Sequence, residues 1–162
     1  MASAPFFVAL SSCVLLMAGG VETGKETLLD DICMNCICEA TSGCDMMSPE
    51  AGCNNDTCGL YALPKVYWED GGRPRVPGEE EEDEDEAYKT CAQDTRCAEA
   101  VVHNYMIKYA QDCNHDDDID CYDYAAIHRK GGFGCRATLD QKYRLSVDRC
   151  IQAARNLTAP AP

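Results

Sequence analysis

Cysteine spacing is the strongest constraint on this chain. Four cysteines fall within the twelve residues CMNCICEATSGC (Cys33, Cys36, Cys38 and Cys44), and Cys53, Cys58, Cys91, Cys97, Cys113, Cys121, Cys135 and Cys150 follow. One further cysteine, Cys13, lies inside an apolar leader, so the 13 in the full sequence leave an even twelve for the mature chain. That number permits six bridges and marks a small disulfide framework. A zinc site is the rival reading of clustered cysteines, and the oxidising compartment implied by the leader favours bridges over metal. Each native bridge in a small secreted domain contributes about 2 to 5 kcal/mol, so the bridges supplement a modest core and reduction is expected to unfold the protein.

The leader runs through PFFVALSSCVLLMAGG. Its apolar core is long enough for a signal peptide and too short to span a membrane, although no Lys or Arg precedes it. Residues 1–20 are therefore read as a signal peptide, cleaved between 18 and 24 near Ala18, Gly19 and Gly20, and the mature protein is expected to be secreted and extracellular. The sequons Asn55-Asp56-Thr57 and Asn156-Leu157-Thr158 fit the same route.

Charge excludes some partners. With 28 acidic and 14 basic residues the net charge is −14, which makes nucleic acid and anionic membrane surfaces poor partners. Much of the excess is local, because Glu79 to Glu86 are consecutive acids; without those eight the balance is 20 against 14, or −6. Gly71, Gly72, Pro74, Pro77 and Gly78 precede the run, so 78–87 is expected to be a disordered, self-repelling insertion in a domain spanning 25–155.

Helical periodicity occurs on both sides of this insertion. Leu28, Ile32 and Cys36, with Leu29 and Cys33, place the first cysteines on a helix. Residues 43–78, rich in Gly, Asn, Pro and Asp with short runs such as LYAL and KVYW, predict irregular structure with a small sheet. Downstream, Cys97, Val101 and Tyr105 with Ala98, Val102, Met106 and Tyr109 form a core helix opened by Asp94 or Thr95. DYAAIHRKGG ends with basic and glycine stop signals, and LDQKYRLSVDRCIQAA buries Tyr143, Val147, Cys150, Ile151 and Ala154. The tail at 156–162 is expected to fray.

From about Cys33 to Cys150 the chain resembles the invertebrate-type lysozymes, also called the destabilase family. CMNCICEATSGC, CGLYAL with VYWEDGG, HNYMIKYAQDCN and DCYDYAAIHRKGGFGC carry the resemblance. It implies an α+β fold, predominantly helical and lysozyme-like with a small β region, disulfide-rich, needing no cofactor. It also implies cleavage of the β-1,4 bond between amino sugars of peptidoglycan, with peptidoglycan or related glycans as partner. Such hydrolysis needs two carboxyl groups, one protonating the leaving oxygen and one attacking or stabilising the anomeric carbon.

The family's acid sits three residues after the CxC, in an ESGC-like string, and here that position is Thr41, followed by Ser42, Gly43 and Cys44. A hydroxyl does not donate its proton near neutral pH, and general acid catalysis is worth about 10²- to 10⁴-fold. Glu39 is nearest in sequence, but two residues on a helix turn about 200° and face it elsewhere. Asp56, three after Cys53, is either the second carboxylate or the middle of a glycosylated turn, since Cys53 and Cys58 lie closer than in the family. The family's second activity, isopeptide hydrolysis by a serine and histidine pair, makes His128 a candidate base; Thr57 stands at that serine's position, leaving Ser42 as a candidate hydroxyl. Three functions follow from the resemblance: a lysozyme weakened at Thr41, a binder of peptidoglycan that no longer cuts, or an isopeptidase using His128.

DCNHDDDIDCYD has a chemistry of its own. Asp112, Asn114, Asp116, Asp118, Asp120 and Asp123 fall on the spacing of a calcium-binding EF loop, with Ile119 at its apolar position. Asp117 replaces the turn glycine and Asp123 the final Glu. The alternative is a disulfide-tied acidic turn in which Asp120 or Asp123 caps the next helix.

Overall fold

The computed structural model describes residues 29–47, 51–54, 56–79 and 83–158. The leader at 1–20, Cys13 and the Asn55 side of the first sequon lie outside them. Among the described residues six helices and one two-stranded sheet make an α+β, mostly helical fold.

Helix α1 (Asp31–Ser42) starts where the Asp30 carboxylate accepts the Cys33 N–H at 2.7 Å. It stops at Gly43, whose φ of 75° is left-handed backbone that a glycine adopts without strain. Cys33, Cys36 and Ile37 form its buried face. Strands β1 (Thr57–Cys58) and β2 (Leu63–Pro64) pair antiparallel, with Thr57 opposite Pro64 and Cys58 opposite Leu63. Helices α2 (Lys65–Asp70), α3 (Glu84–Gln93) and α4 (Thr95–Tyr109) follow. Asp94 opens α4 by accepting the Cys97 N–H at 2.8 Å. Helices α5 (Cys121–Lys130) and α6 (Gln141–Thr158) complete the chain, and α6 packs along α1.

All twelve cysteines of the domain are bridged: Cys33–Cys121, Cys36–Cys150, Cys38–Cys44, Cys53–Cys58, Cys91–Cys97 and Cys113–Cys135. The first two join α1 to the start of α5 and to α6, making α1 the covalent hub. Around it a single core forms from fully buried Ile37, Leu63, Trp68, Val101, Val102, Met106, Ile127 and Val147. The Trp68 indole N–H, which burial would otherwise leave unpaired, donates to the Pro74 carbonyl at 2.8 Å.

Three expectations need correction. KVYW is helical rather than a strand: Pro64 precedes α2, Tyr67 and Trp68 turn into the core, and Val66 is exposed. Packing of that aromatic pair overrides the β propensity of a run too short to show its period. The acidic stretch is not disordered throughout, because α3 begins at Glu84. Asp83 accepts the N–H groups of Asp85 and Glu86, and negative side chains are favoured at a helix N-terminus. Lys65 pairs with Asp85, Arg73 with Glu84 and Lys89 with Glu86, which offsets the self-repulsion; residues 80–82 lie outside the described set. Finally, α6 continues to Thr158, so the second sequon sits on a helix, while 159–162 are outside the described residues.

Candidate active site

The end of α1 reaches a groove of about 440 Å³ whose other walls come from the sheet, α2, α4 and α5. Thr41, Thr57 and His128 line it together with Tyr61, Tyr67, Asp70, Tyr105 and Arg129. Three positions far apart in the sequence thus converge. Helix α1 delivers Thr41 from its last turn, β1 delivers Thr57 through its pairing with Pro64, and α5 delivers His128 from its C-terminal turn.

Thr41 is partly buried and its hydroxyl donates back to the Ile37 carbonyl at 2.7 Å. The Tyr143 phenol, which donates to the Ala125 carbonyl, lies next to this hydroxyl, and burial raises the pKa of that phenol. Position 41 therefore faces both the groove and an apolar interior, an environment that would raise the pKa of a carboxyl group placed there, as a general acid requires. Ser42 donates to Cys38 at 3.5 Å instead of facing His128. Glu39 is exposed and lines a separate cleft between α1 and α6, as its helical rotation dictates. Asp56 is exposed and is not among the residues lining the groove; its charge acts on the Tyr88 hydroxyl.

Among the described residues lining the groove, Asp70 supplies the carboxylate. Lys108 donates to it at 2.6 Å and the Tyr109 hydroxyl at 3.0 Å, and these bonds hold its pKa below the usual carboxylate range. It stays ionised and acts as a fixed negative charge rather than a proton donor.

His128 is engaged at both ring nitrogens. Nε2 lies 2.9 Å from the Tyr61 carbonyl, which can only accept, so this nitrogen carries the proton. Nδ1 then accepts from the Tyr67 hydroxyl at 3.2 Å. Desolvation lowers the His128 pKa to about 4; the Tyr61 carbonyl opposes this and the Arg129 charge adds to it. The ring is neutral at pH 7, and the hydroxyl within its reach is a core phenol, not that of a serine or threonine.

Sequence reasoning missed Tyr61, Tyr67, Asp70, Tyr105 and Arg129. Tyr61 and Asp70 do sit inside the CGLYAL and VYWEDGG blocks, but no spacing rule connects α2 to α5.

The acidic loop is organised around Asp123, which is fully buried. Its carboxylate accepts from the backbone N–H of Cys113 at 2.8 Å, Asn114 at 3.4 Å and Asp120 at 2.9 Å. Asp120 completes a reciprocal capping box on α5 through the Tyr122 N–H. Carboxylate oxygens of Asp112, Asp116 and Asp123 lie within 4.8 Å of one another. Asp112 already accepts from His115 and Asp117, Asp116 accepts from Asn114 and Asp118, and Asp118 accepts the Ile119 N–H. Calcium takes six to eight oxygens, of which these three carboxylates would supply a part. The segment is tied down by the Cys113–Cys135 bridge and caps α5 through Asp120 and Asp123.

No helix among the described residues is long and apolar enough to cross a membrane.

Comparison with known proteins agrees with this architecture. The destabilase family model matches residues 30–150. A lysozyme of Magallana gigas is 33% identical over 140 residues, covering 83% of this chain and 88% of its own. Invertebrate-type lysozyme 2 of Caenorhabditis elegans is 34% identical over 119 residues, covering 73% and 84%. Among solved structures, Meretrix lusoria lysozyme in complex with Aeromonas hydrophila PliI superposes with a TM-score of 0.58 at 28% identity, over 75% of this chain and 90% of that one. With the family model reaching from the start of α1 to Cys150 in α6 and relatives above 30% identity along most of their length, the chain belongs to the destabilase family of invertebrate-type lysozymes.

Proposed function

We propose that the protein is a secreted, peptidoglycan-directed member of the lysozyme family, taking the glycan strand into the groove between α1, the sheet and α5. Cleavage of the β-1,4 bond is slowed because the proton donor at position 41 is missing. The observation that carries this reading is Thr41 itself, which lines the groove beside Thr57 and His128 with a hydroxyl where the chemistry needs a carboxylic acid. Asp70 cannot replace it, because Lys108 keeps that carboxylate ionised. Binding requires none of this, and the groove's phenols, arginine and carboxylate suit a polyhydroxylated ligand.

Reducing-sugar release from purified peptidoglycan by the native protein and by Thr41→Glu tests the reading, with co-sedimentation on the insoluble polymer as a second readout. The native protein should sediment with peptidoglycan, and Thr41→Glu should cut faster by about 10²-fold or more. Equal, rapid cutting by both would refute the role assigned to position 41. An isopeptidase reading finds less support: Ser42 is turned to Cys38, and both nitrogens of His128 are engaged elsewhere.

A further inference from the structure

The loop that leaves the groove wall at Gly131 carries an aromatic ring exposed to water. Phe133 is 95% exposed, whereas an aromatic of this size normally buries most of its surface. The loop beneath it is fixed from several directions. The Gln111 side chain donates to the Gly132 carbonyl, the Gly132 N–H donates to the Tyr105 hydroxyl at 3.1 Å, and the Gly134 N–H donates to Gly131 at 3.0 Å. The neighbouring Cys135 is bridged to Cys113. Gly132 is required for this seat: a Cβ there would stand 2.2 Å from Cδ1 of Tyr109. The sequence therefore fixes the loop against Tyr109 and exposes the next side chain.

Phe133 continues a file of rings that starts inside the groove. The His128 ring meets Tyr67 edge-on at 5.4 Å, Tyr67 stacks on Tyr105 at 3.6 Å, Tyr105 tilts against Tyr109 at 4.5 Å, and Phe133 stands edge-on to Tyr109 at 5.5 Å. Tyr109 is tied to the groove through Asp70, and Gly131, two residues before Phe133, lines it. The exposed ring is thus connected to the groove through Tyr109, which bonds Asp70, and through Gly131. A pyranose ring presents polar edges and an apolar C–H face. Asp70 and Arg129 offer polar partners for the first, and Phe133 offers a flat apolar surface for the second. Because the backbone beneath the ring is already held, stacking has to order only the Phe133 side chain itself.

Building on the glycan-binding reading above, we infer that Phe133 is a specificity-determining residue: a stacking platform for the sugar unit that extends beyond the Asp70 end of the groove. It sets the length of strand the protein prefers and needs no part in bond cleavage. The ligand class is a β-1,4-linked amino-sugar oligomer long enough to reach Phe133.

Calorimetric titration of the native protein, Phe133→Ala and Phe133→Trp with N-acetylglucosamine oligomers of two to six units tests this. The native protein should bind longer oligomers more tightly than short ones. Phe133→Ala should weaken the longest by about tenfold, the ratio expected for one lost stacking face, and leave the shortest binder unchanged. Phe133→Trp should keep the length preference. An alanine variant that binds every length as the native protein does would overturn the role of Phe133 while leaving the groove intact. Failure of the folded native protein to bind any oligomer or peptidoglycan would overturn the groove reading and this inference with it. Unchanged thermal unfolding of both variants, expected for so exposed a side chain, separates these outcomes from misfolding.

Discussion

Acidification should destabilise this protein through His128 by an amount that follows from its surroundings. The ring packs beneath Tyr61 and Tyr67, donates from Nε2 to the Tyr61 carbonyl and accepts at Nδ1 from Tyr67. Desolvation first, and Arg129 second among the lowering influences, bring its pKa from 6.5 to about 4. A group whose folded pKa is depressed binds fewer protons folded than unfolded, so its stabilising contribution is complete above pH 6.5 and is lost as pH falls toward 4. Every tenfold difference in proton affinity between the unfolded and folded chain is worth about 1.4 kcal/mol, so linkage predicts a loss of roughly 2 kcal/mol at pH 5 and about 3 kcal/mol once the folded-state group titrates. Urea unfolding at pH 7.5 and pH 5.0 measures the loss. His128→Gln, which cannot titrate, should be less stable at pH 7.5 but lack this share of the pH dependence. The difference between the two proteins isolates His128 from the carboxylates, which also destabilise in acid. The reasoning fails if the ring nitrogen resonances titrate near 6.5 in the folded protein, or if the variant retains the full pH dependence.

Two further outcomes follow from the core. Removing the Cys36–Cys150 bridge as a double alanine variant leaves Cys33–Cys121 to shorten the freed loop from its sequence separation of 114, and chain entropy predicts a loss of about 4 kcal/mol, against about 2 kcal/mol for the Cys38–Cys44 bridge of separation 6. Equal denaturant midpoints for the two variants would argue against that model. Asp123→Asn should cost about 3 kcal/mol, because a buried carboxylate serving three backbone N–H groups becomes an amide with one oxygen. The loss should be the same in calcium as in chelator, and a calcium-dependent melting temperature would show that the acidic turn binds the ion after all.

What was legible in the sequence was mostly local. Asp94 and Asp120 announce their helices because a capping carboxylate bonds N–H groups two or three residues away, and Tyr143, Val147 and Ile151 announce the buried face of α6 by period alone. Thr41 and His128 were found through motif positions, and their convergence needed the fold. KVYW misled because four residues cannot distinguish strand from helix when two aromatics seek the core. The acidic run misled because repulsion was counted without the helix dipole at Asp83 or the cations Lys65, Arg73 and Lys89, which lie outside the run itself. Asp70 was hidden because its role depends on Lys108 and Tyr109, 38 and 39 residues away.

The two long bridges interleave along the chain, with Cys33 and Cys36 opening loops that close at Cys121 and Cys150 in the same order. Any single backbone cut between Cys33 and Cys150 therefore leaves the two pieces covalently joined. Between Cys36 and Cys121, a stretch that contains the exposed acidic residues, both bridges span the break. A protease that nicks the chain there produces a clipped molecule of unchanged mass apart from one water, still holding Thr41, Asp70 and His128 on connected fragments. In surroundings rich in hydrolases, loss of chain continuity and loss of the groove become separate events, and only reduction converts the first into the second.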